Sequence, residues 1–176
     1  MLKHLFFLLM LGISLQVYAQ SPNPHARLKE LGITLPEAEK PVANFVKWVR
    51  SGNMLYLSGH GSCGAPTAVD RGKLGKDLTT EQGYEAAKRV AICLLATLND
   101  ATGGDLGKVK RVVKVLGMVN SAPEFYDQPR VINGCSDLLT QVFGEKGKHA
   151  RSAVGMASLP GNISVEIEMV VELEEE

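Results

Sequence analysis

Cysteine and aromatic residues are scarce in this 176-residue chain, and net charge is absent: three Cys, one Trp, and 19 Lys+Arg against 19 Asp+Glu. Three cysteines cannot frame a disulfide-dense miniature scaffold. Zero net charge argues against a protein that coats nucleic acid or an anionic membrane, which needs an excess or a block of Lys and Arg. No CxxC or HxxxH spacing joins His60, Cys63 and His149, so no metal centre is expected of them. The single long apolar run is too short to cross a bilayer, which takes about 20 residues. What is there is 45% hydrophobic residues and 18 glycines spread along the chain. That is the composition of a compact α/β domain with many turns, large enough to bury roughly two thirds of its unfolded surface.

The apolar run, Leu5–Leu15, follows Lys3 and His4 and leads to Val17-Tyr18-Ala19. A basic start, a short apolar stretch and small residues at a cleavage site are the pattern of an export signal. Residues 1–19 are therefore expected to be removed, leaving a mature protein that is periplasmic or secreted and holds no membrane segment. Residues 20–41, rich in proline with a short helical piece at Ala26–Leu31, are expected to form an arm. The domain proper is expected to span 42–176.

Within it, Val42–Val49 and Met54–Ser58 read as strands joined by Ser51-Gly52-Asn53, and Gly59–Asp77 as a loop. Thr79-x-x-Gln82 is a capping box that opens a helix carrying Tyr84, Ala87, Val90, Ala91, Leu94, Leu95 and Leu98 at helical spacing, closed by Gly103-Gly104. Val109–Val119 is β-branched on both alternating faces, Val113, Val115 and Val119 on one side and Val112, Leu116 and Met118 on the other. Such a strand needs cover on both sides. Ser121-x-x-Glu124 is a second capping-box match, and a second helix follows Pro129 and ends at Gly144. Ala150–Leu159 and Ile163–Leu173 finish the chain as strands around Pro160-Gly161-Asn162. The order β-β-α-β-α-β-β gives an α/β (α+β) fold, a mixed sheet with two helices on one face. Two helices cover one side only, so the other is expected to be buried by further copies of the chain in a closed homo-oligomer.

Several segments are similar to the Rid family, the reactive-intermediate deaminases also called YjgF-like proteins. They are Asn53–Gly59 (NMLYLSG), Gly83–Leu98, Val109–Asn120, His149–Pro160 (HARSAVGMASLP) and Val165–Val170 (VEIEMV). The resemblance runs from about Arg27 to Leu173. The N-terminal arm and an insertion at Ala122–Asn133 mark a longer, divergent branch. It implies a chorismate-mutase-like fold, a homotrimer with sites in clefts between subunits, and hydrolysis of enamines and imines such as 2-aminoacrylate to 2-keto acids and ammonia, with no metal or organic cofactor.

Arg151 opens a strand whose own face continues with the small residues Ala153, Gly155 and Ala157. A planar guanidinium beside space suits bidentate capture of a carboxylate, and by resemblance it is the substrate-carboxylate arginine. Glu166 shares a face with Glu168 on an otherwise apolar strand; by resemblance it holds or polarises the attacking water, and partial burial would equip it as general base. The resemblance adds Ser58 and Gly59 as a substrate-holding edge and Asn133 near a family asparagine. Phe45 stands where many members have tyrosine, Ala153 replaces a cysteine, and Gly155 replaces an acid. These departures imply a roomier, less polar pocket. Cys93 and Cys135 fall on apolar helix faces, which favours buried thiols over a disulfide; Cys63, in the loop, is the one open to oxidation. A non-catalytic trimer binding a small carboxylate or aromatic metabolite is the alternative reading, and neutral charge argues against ribonuclease chemistry.

Overall fold

The computed structural model describes residues 23–175; the export signal expected at 1–19 lies outside them. The elements are α1 (Pro24–Glu30), β1 (Trp48–Ser51), β2 (Met54–His60), α2 (Thr80–Ala101), β3 (Val109–Asn120), α3 (Gln128–Phe143), β4 (Ala150–Met156) and β5 (Val165–Leu173). One sheet holds every strand in the order β1-β2-β5-β3-β4. β3 and β4 pair in parallel through the α3 crossover, and all other pairs are antiparallel. The expected element order is thus observed.

Helix α2 begins where its capping box lies. The Thr79 hydroxyl accepts from the Gln82 amide, and the Gln82 side chain reaches back to the Thr79 N–H. Its apolar face packs with that of α3 against Leu55, Leu57, Val112, Val115, Val119, Ile167, Met169 and Val171 of the sheet. The two helices approach closely because Gly134 has no side chain: a Cβ there would lie 2.0 Å from the Tyr84 carbonyl oxygen. The arm helix α1 sits on the same side, with Arg27 Nε donating to the Gln141 carbonyl and the Leu106 N–H donating to His25 Nε2. Among the described residues nothing from the arm covers the opposite face, where Val49 and Tyr56 are exposed and Lys114, Leu116 and Met118 are half-buried.

Five expectations are corrected. β1 starts at Trp48 rather than Val42, because the segment before it bends away and Val42 is almost fully exposed. β4 ends at Met156 and β5 begins at Val165, the connection being a longer turn. Ser121 caps no helix: its N–H donates to Met156 O, and it bridges to Leu74, so the backbone stays extended there, and α3 starts at Gln128-Pro129, close to the expected start of the second helix. A bulge between Val112 and Lys114 puts Val112, not Val113, on the core face with Val115 and Val119.

Cysteine is the fifth. Cys63 and Cys93 form a disulfide, and Cys135 alone is a buried thiol, its burial pushing the pKa up to about 12. Cys93 lies on the α2 stripe that faces the chain after β2. Along that stripe, one turn apart, Arg89 donates to Asp70 Oδ1 (3.0 Å) and the Ala65 carbonyl (3.0 Å), Cys93 bonds to Cys63, and Thr97 meets His60 (2.8 Å). An apolar-face reading assigns such a position to the core; here the face looks at a loop. Removing the bridge, which closes a 30-residue separation, by reduction or by Cys63→Ser with Cys93→Ser is expected to cost about 2–4 kcal/mol in urea unfolding.

Candidate active site

Arg151 lies next to Val115 in the β3–β4 register and turns to the helix side of the sheet. Its Nη1 donates to Asn133 Oδ1 (2.8 Å) and to Ser136 Oγ (3.1 Å), both on α3. Two candidate residues, Arg151 and Asn133, are therefore in contact, and the space above Arg151 is not empty. Ala153 packs against the core, and a Cβ on Gly155 would lie 2.7 Å from both Gln128 Nε2 and Ser121 Oγ. The site of the lost acid is filled by polar side chains instead of being a less polar void. Among the described residues no carboxylate lies within ion-pair distance of Arg151.

Glu166 belongs to a second cluster on the open face of the sheet, opposite Met118. It is half-buried, and burial first, then the Glu168 charge, raises its pKa above the ordinary carboxylate value. Gly59 on the neighbouring strand makes room for it: a Cβ there would stand 2.0 Å from Glu166 Oε1. Ser58 beside it is partly committed, its hydroxyl donating to the Lys47 carbonyl (3.3 Å). Ser58, Glu168, Tyr56, Trp48, Val46 and Leu116 line a groove on this open face. Phe45 lies apart on the exposed segment entering β1, with Lys47 Nζ 6.0 Å from its ring centroid. Within one chain, then, Arg151, Asn133 and Ala153 converge, Ser58, Gly59 and Glu166 converge, and β3 runs between the two groups.

Two histidines back these clusters. The His60 ring is buried, with Nδ1 2.7 Å from the Ser58 carbonyl and Nε2 2.8 Å from the Thr97 hydroxyl. The His149 ring has Nδ1 2.7 Å from the Gly147 carbonyl and Nε2 3.1 Å from Ser136 Oγ. A carbonyl can only accept, so each Nδ1 carries the proton and each Nε2 accepts from a hydroxyl. Burial lowers both pKa values and keeps the rings neutral. Sequence reading passed over Ser136 and Gln128 and weighed the histidines only as metal ligands. The available signal was spacing: His149, just before β4, and Arg151 within it stand at i, i+2, and Asn133 and Ser136 share a helix face at i, i+3.

Residues 25–173 match the family described as YjgF/chorismate mutase-like, putative endoribonuclease. The chain belongs to this family. It is 45% identical over 149 residues to protein TCP17 of Trypanosoma cruzi, covering 84% of this chain and 92% of that one. It is 30% identical over 142 residues to a 2-iminobutanoate/2-iminopropanoate deaminase of Dermatophagoides farinae, covering 81% and 95%. The crystal structure of Atu1372 from Agrobacterium tumefaciens superposes with a TM-score of 0.80 at 47% identity, covering 86% of this chain and 92% of that chain. The YjgF-like fold expected from the sequence segments is the one observed.

The neutral histidines set a pH dependence. Each binds a proton more weakly folded than unfolded, so below about pH 6.5 the unfolded chain binds more protons and stability falls with pH. Glu166, its pKa raised, acts in the opposite sense. Thermal midpoints measured from about pH 7 to about pH 5 are expected to decline, and less steeply in a His60→Gln protein.

Proposed function

We propose that this YjgF-like protein hydrolyses small 2-imino acids and their 2-enamino tautomers to 2-keto acids and ammonia, in clefts between the subunits of a homotrimer. Arg151 carries the reading. Its guanidinium is half-buried, and neutral oxygens hold Nη1; among the described residues it has no acidic partner and its Nε–Nη2 edge takes no acceptor. An arginine fixed in this way is a ready fork for a substrate carboxylate. The deaminase name of the relative from Dermatophagoides farinae supports the substrate class.

The chemistry follows from the second cluster. With the substrate carboxylate on Arg151, a water held by Glu166 faces C2 of the imine. Glu166 takes a proton from that water as the oxygen bonds to C2. Glu166 passes that proton to the nitrogen, giving the carbinolamine; its hydroxyl proton then moves to the nitrogen as the C–N bond breaks, releasing ammonia and leaving the C=O of the keto acid. No electron leaves the system, and one water is consumed. An enamine enters the same route after protonation at C3.

Because Arg151 and Glu166 lie on opposite faces of one sheet, a complete site needs Arg151 of one protomer beside the open face of the next. The uncovered apolar face supports that assembly. Export is part of the proposal: a disulfide is at home in an oxidising compartment, in keeping with the N-terminal sequence pattern.

Purified protein is expected to consume 2-aminoacrylate generated in situ faster than solvent does, and to sediment as a trimer. Arg151→Ala is expected to lower kcat/KM about 100-fold, as the loss of a charge-assisted contact of ~3 kcal/mol requires. Glu166→Gln is expected to lower kcat by about 10²–10⁴. In the wild type kcat is expected to rise with pH through a value above the usual carboxylate range. Turnover no faster than the uncatalysed rate would refute the enzyme and leave a carboxylate-binding trimer.

A further inference from the structure

A chain of hydrogen bonds ends on the arginine. The Gly147 carbonyl accepts from His149 Nδ1 (2.7 Å), His149 Nε2 accepts from the Ser136 hydroxyl (3.1 Å), and Ser136 Oγ accepts from Arg151 Nη1 (3.1 Å). Asn133 Oδ1 takes the other Nη1 hydrogen at 2.8 Å. The direction of every bond is fixed by the first, because a carbonyl cannot donate. With both Nη1 hydrogens engaged, the parallel Nε–H and Nη2–H bonds are left as the one free two-pronged edge.

We infer that Ser136 and His149 are positioning residues that set the approach of the substrate carboxylate to the Nε–Nη2 edge of Arg151, and that they do so only while His149 is neutral. The inference rests on the reading of Arg151 as the carboxylate anchor. Protonation puts a hydrogen on Nε2. Ser136 Oγ would then face two donors, one from each of two cations, and its own hydroxyl hydrogen would lose its acceptor. One of the two contacts that block Nη1 is lost, and with Asn133 alone holding it the guanidinium can turn about that remaining bond.

The groups around His149 leave it little compensation. Burial is the largest effect and disfavours the imidazolium; the bond to the Gly147 carbonyl favours it, the Arg151 charge opposes it, and the net shift is downward. On α3, Ser136 is the contact, while Asp137 accepts from the Tyr84 hydroxyl and Cys135 is a buried thiol. In the turn before β4, Glu145 pairs with Lys148, and Lys146 pairs with Glu174 beyond β5. No carboxylate among the described residues pairs with the ring to hold it charged.

Binding of pyruvate, a 2-keto acid of the product class, tests this by calorimetry on the full assembled protein without requiring turnover. The wild type is expected to bind about fivefold or more weakly at about pH 5 than at about pH 7.5. Ser136→Ala is expected to weaken binding about tenfold at the higher pH, consistent with losing one hydrogen bond to a charged group, with Ser136→Thr restoring most of it. His149→Gln cannot titrate, and its two-pH ratio is expected to fall to about one. The same comparison separates this effect from His60 and Glu166, which still titrate in that variant. If Arg151→Ala loses pyruvate while Ser136→Ala binds it normally, or the pH response survives in His149→Gln, the positioning role is overturned and the anchor stands. If Arg151→Ala binds pyruvate as tightly as the wild type, the anchor itself is overturned.

Discussion

Packing α2 and α3 side by side on one face of a five-stranded sheet commits the rest of the molecule. The core lies between helices and sheet, and it is sealed well enough that Gly134 must give way to the Tyr84 carbonyl. The other face keeps a partly exposed apolar surface with a groove across it. Apolar surface of this kind is covered by association more readily than it is left in water. The same one-sidedness divides the chemistry, because alternation along a strand sends Arg151 to the helix side and Glu166 to the open side. A protein that needs both groups at one carbon has to borrow one of them from a neighbour.

Each half is steadied by the same small device. A neutral imidazole donates to the carbonyl two residues before it and accepts from a hydroxyl on a helix: Thr97 of α2 for His60, Ser136 of α3 for His149. The first ties the Ser58–Gly59 edge to α2, beside the disulfide and the Arg89–Asp70 pair. Burial alone would raise the Asp70 pKa, but bonds from Ser62, Thr67 and Arg89 outweigh it and hold the carboxylate charged. Polar contacts thus fix the parts that chemistry needs, while apolar packing fixes the parts that the fold needs.

Much of this was legible from periodicity. The capping box at Thr79, the glycines after α2 and the two-sided strand β3 each name an element by local physics, and the one-sided helix cover follows from counting. Arg151 and Asn133 could be singled out by chemistry and resemblance. What could not be read was anything set by a loop against a helix. Cys93 has the spacing of a core residue, yet its neighbour is Cys63, brought there by the path of residues 61–78. Ser121 carries a capping pattern that tertiary pairing with Leu74 and Met156 overrides. The polar filling beside Gly155 depends on where Gln128 emerges at the start of α3, which no strand pattern encodes.

The order of the sheet has a kinetic consequence. β5 is the last strand in the chain, yet it lies between β2 and β3. Without it the β1–β2 hairpin and the β3–β4 pair share no backbone bonds, and the helices have two half-platforms with a gap between them. During synthesis the sheet therefore cannot close before β5 has emerged. Closing it joins segments far apart in sequence, which slows folding and lengthens the time spent open.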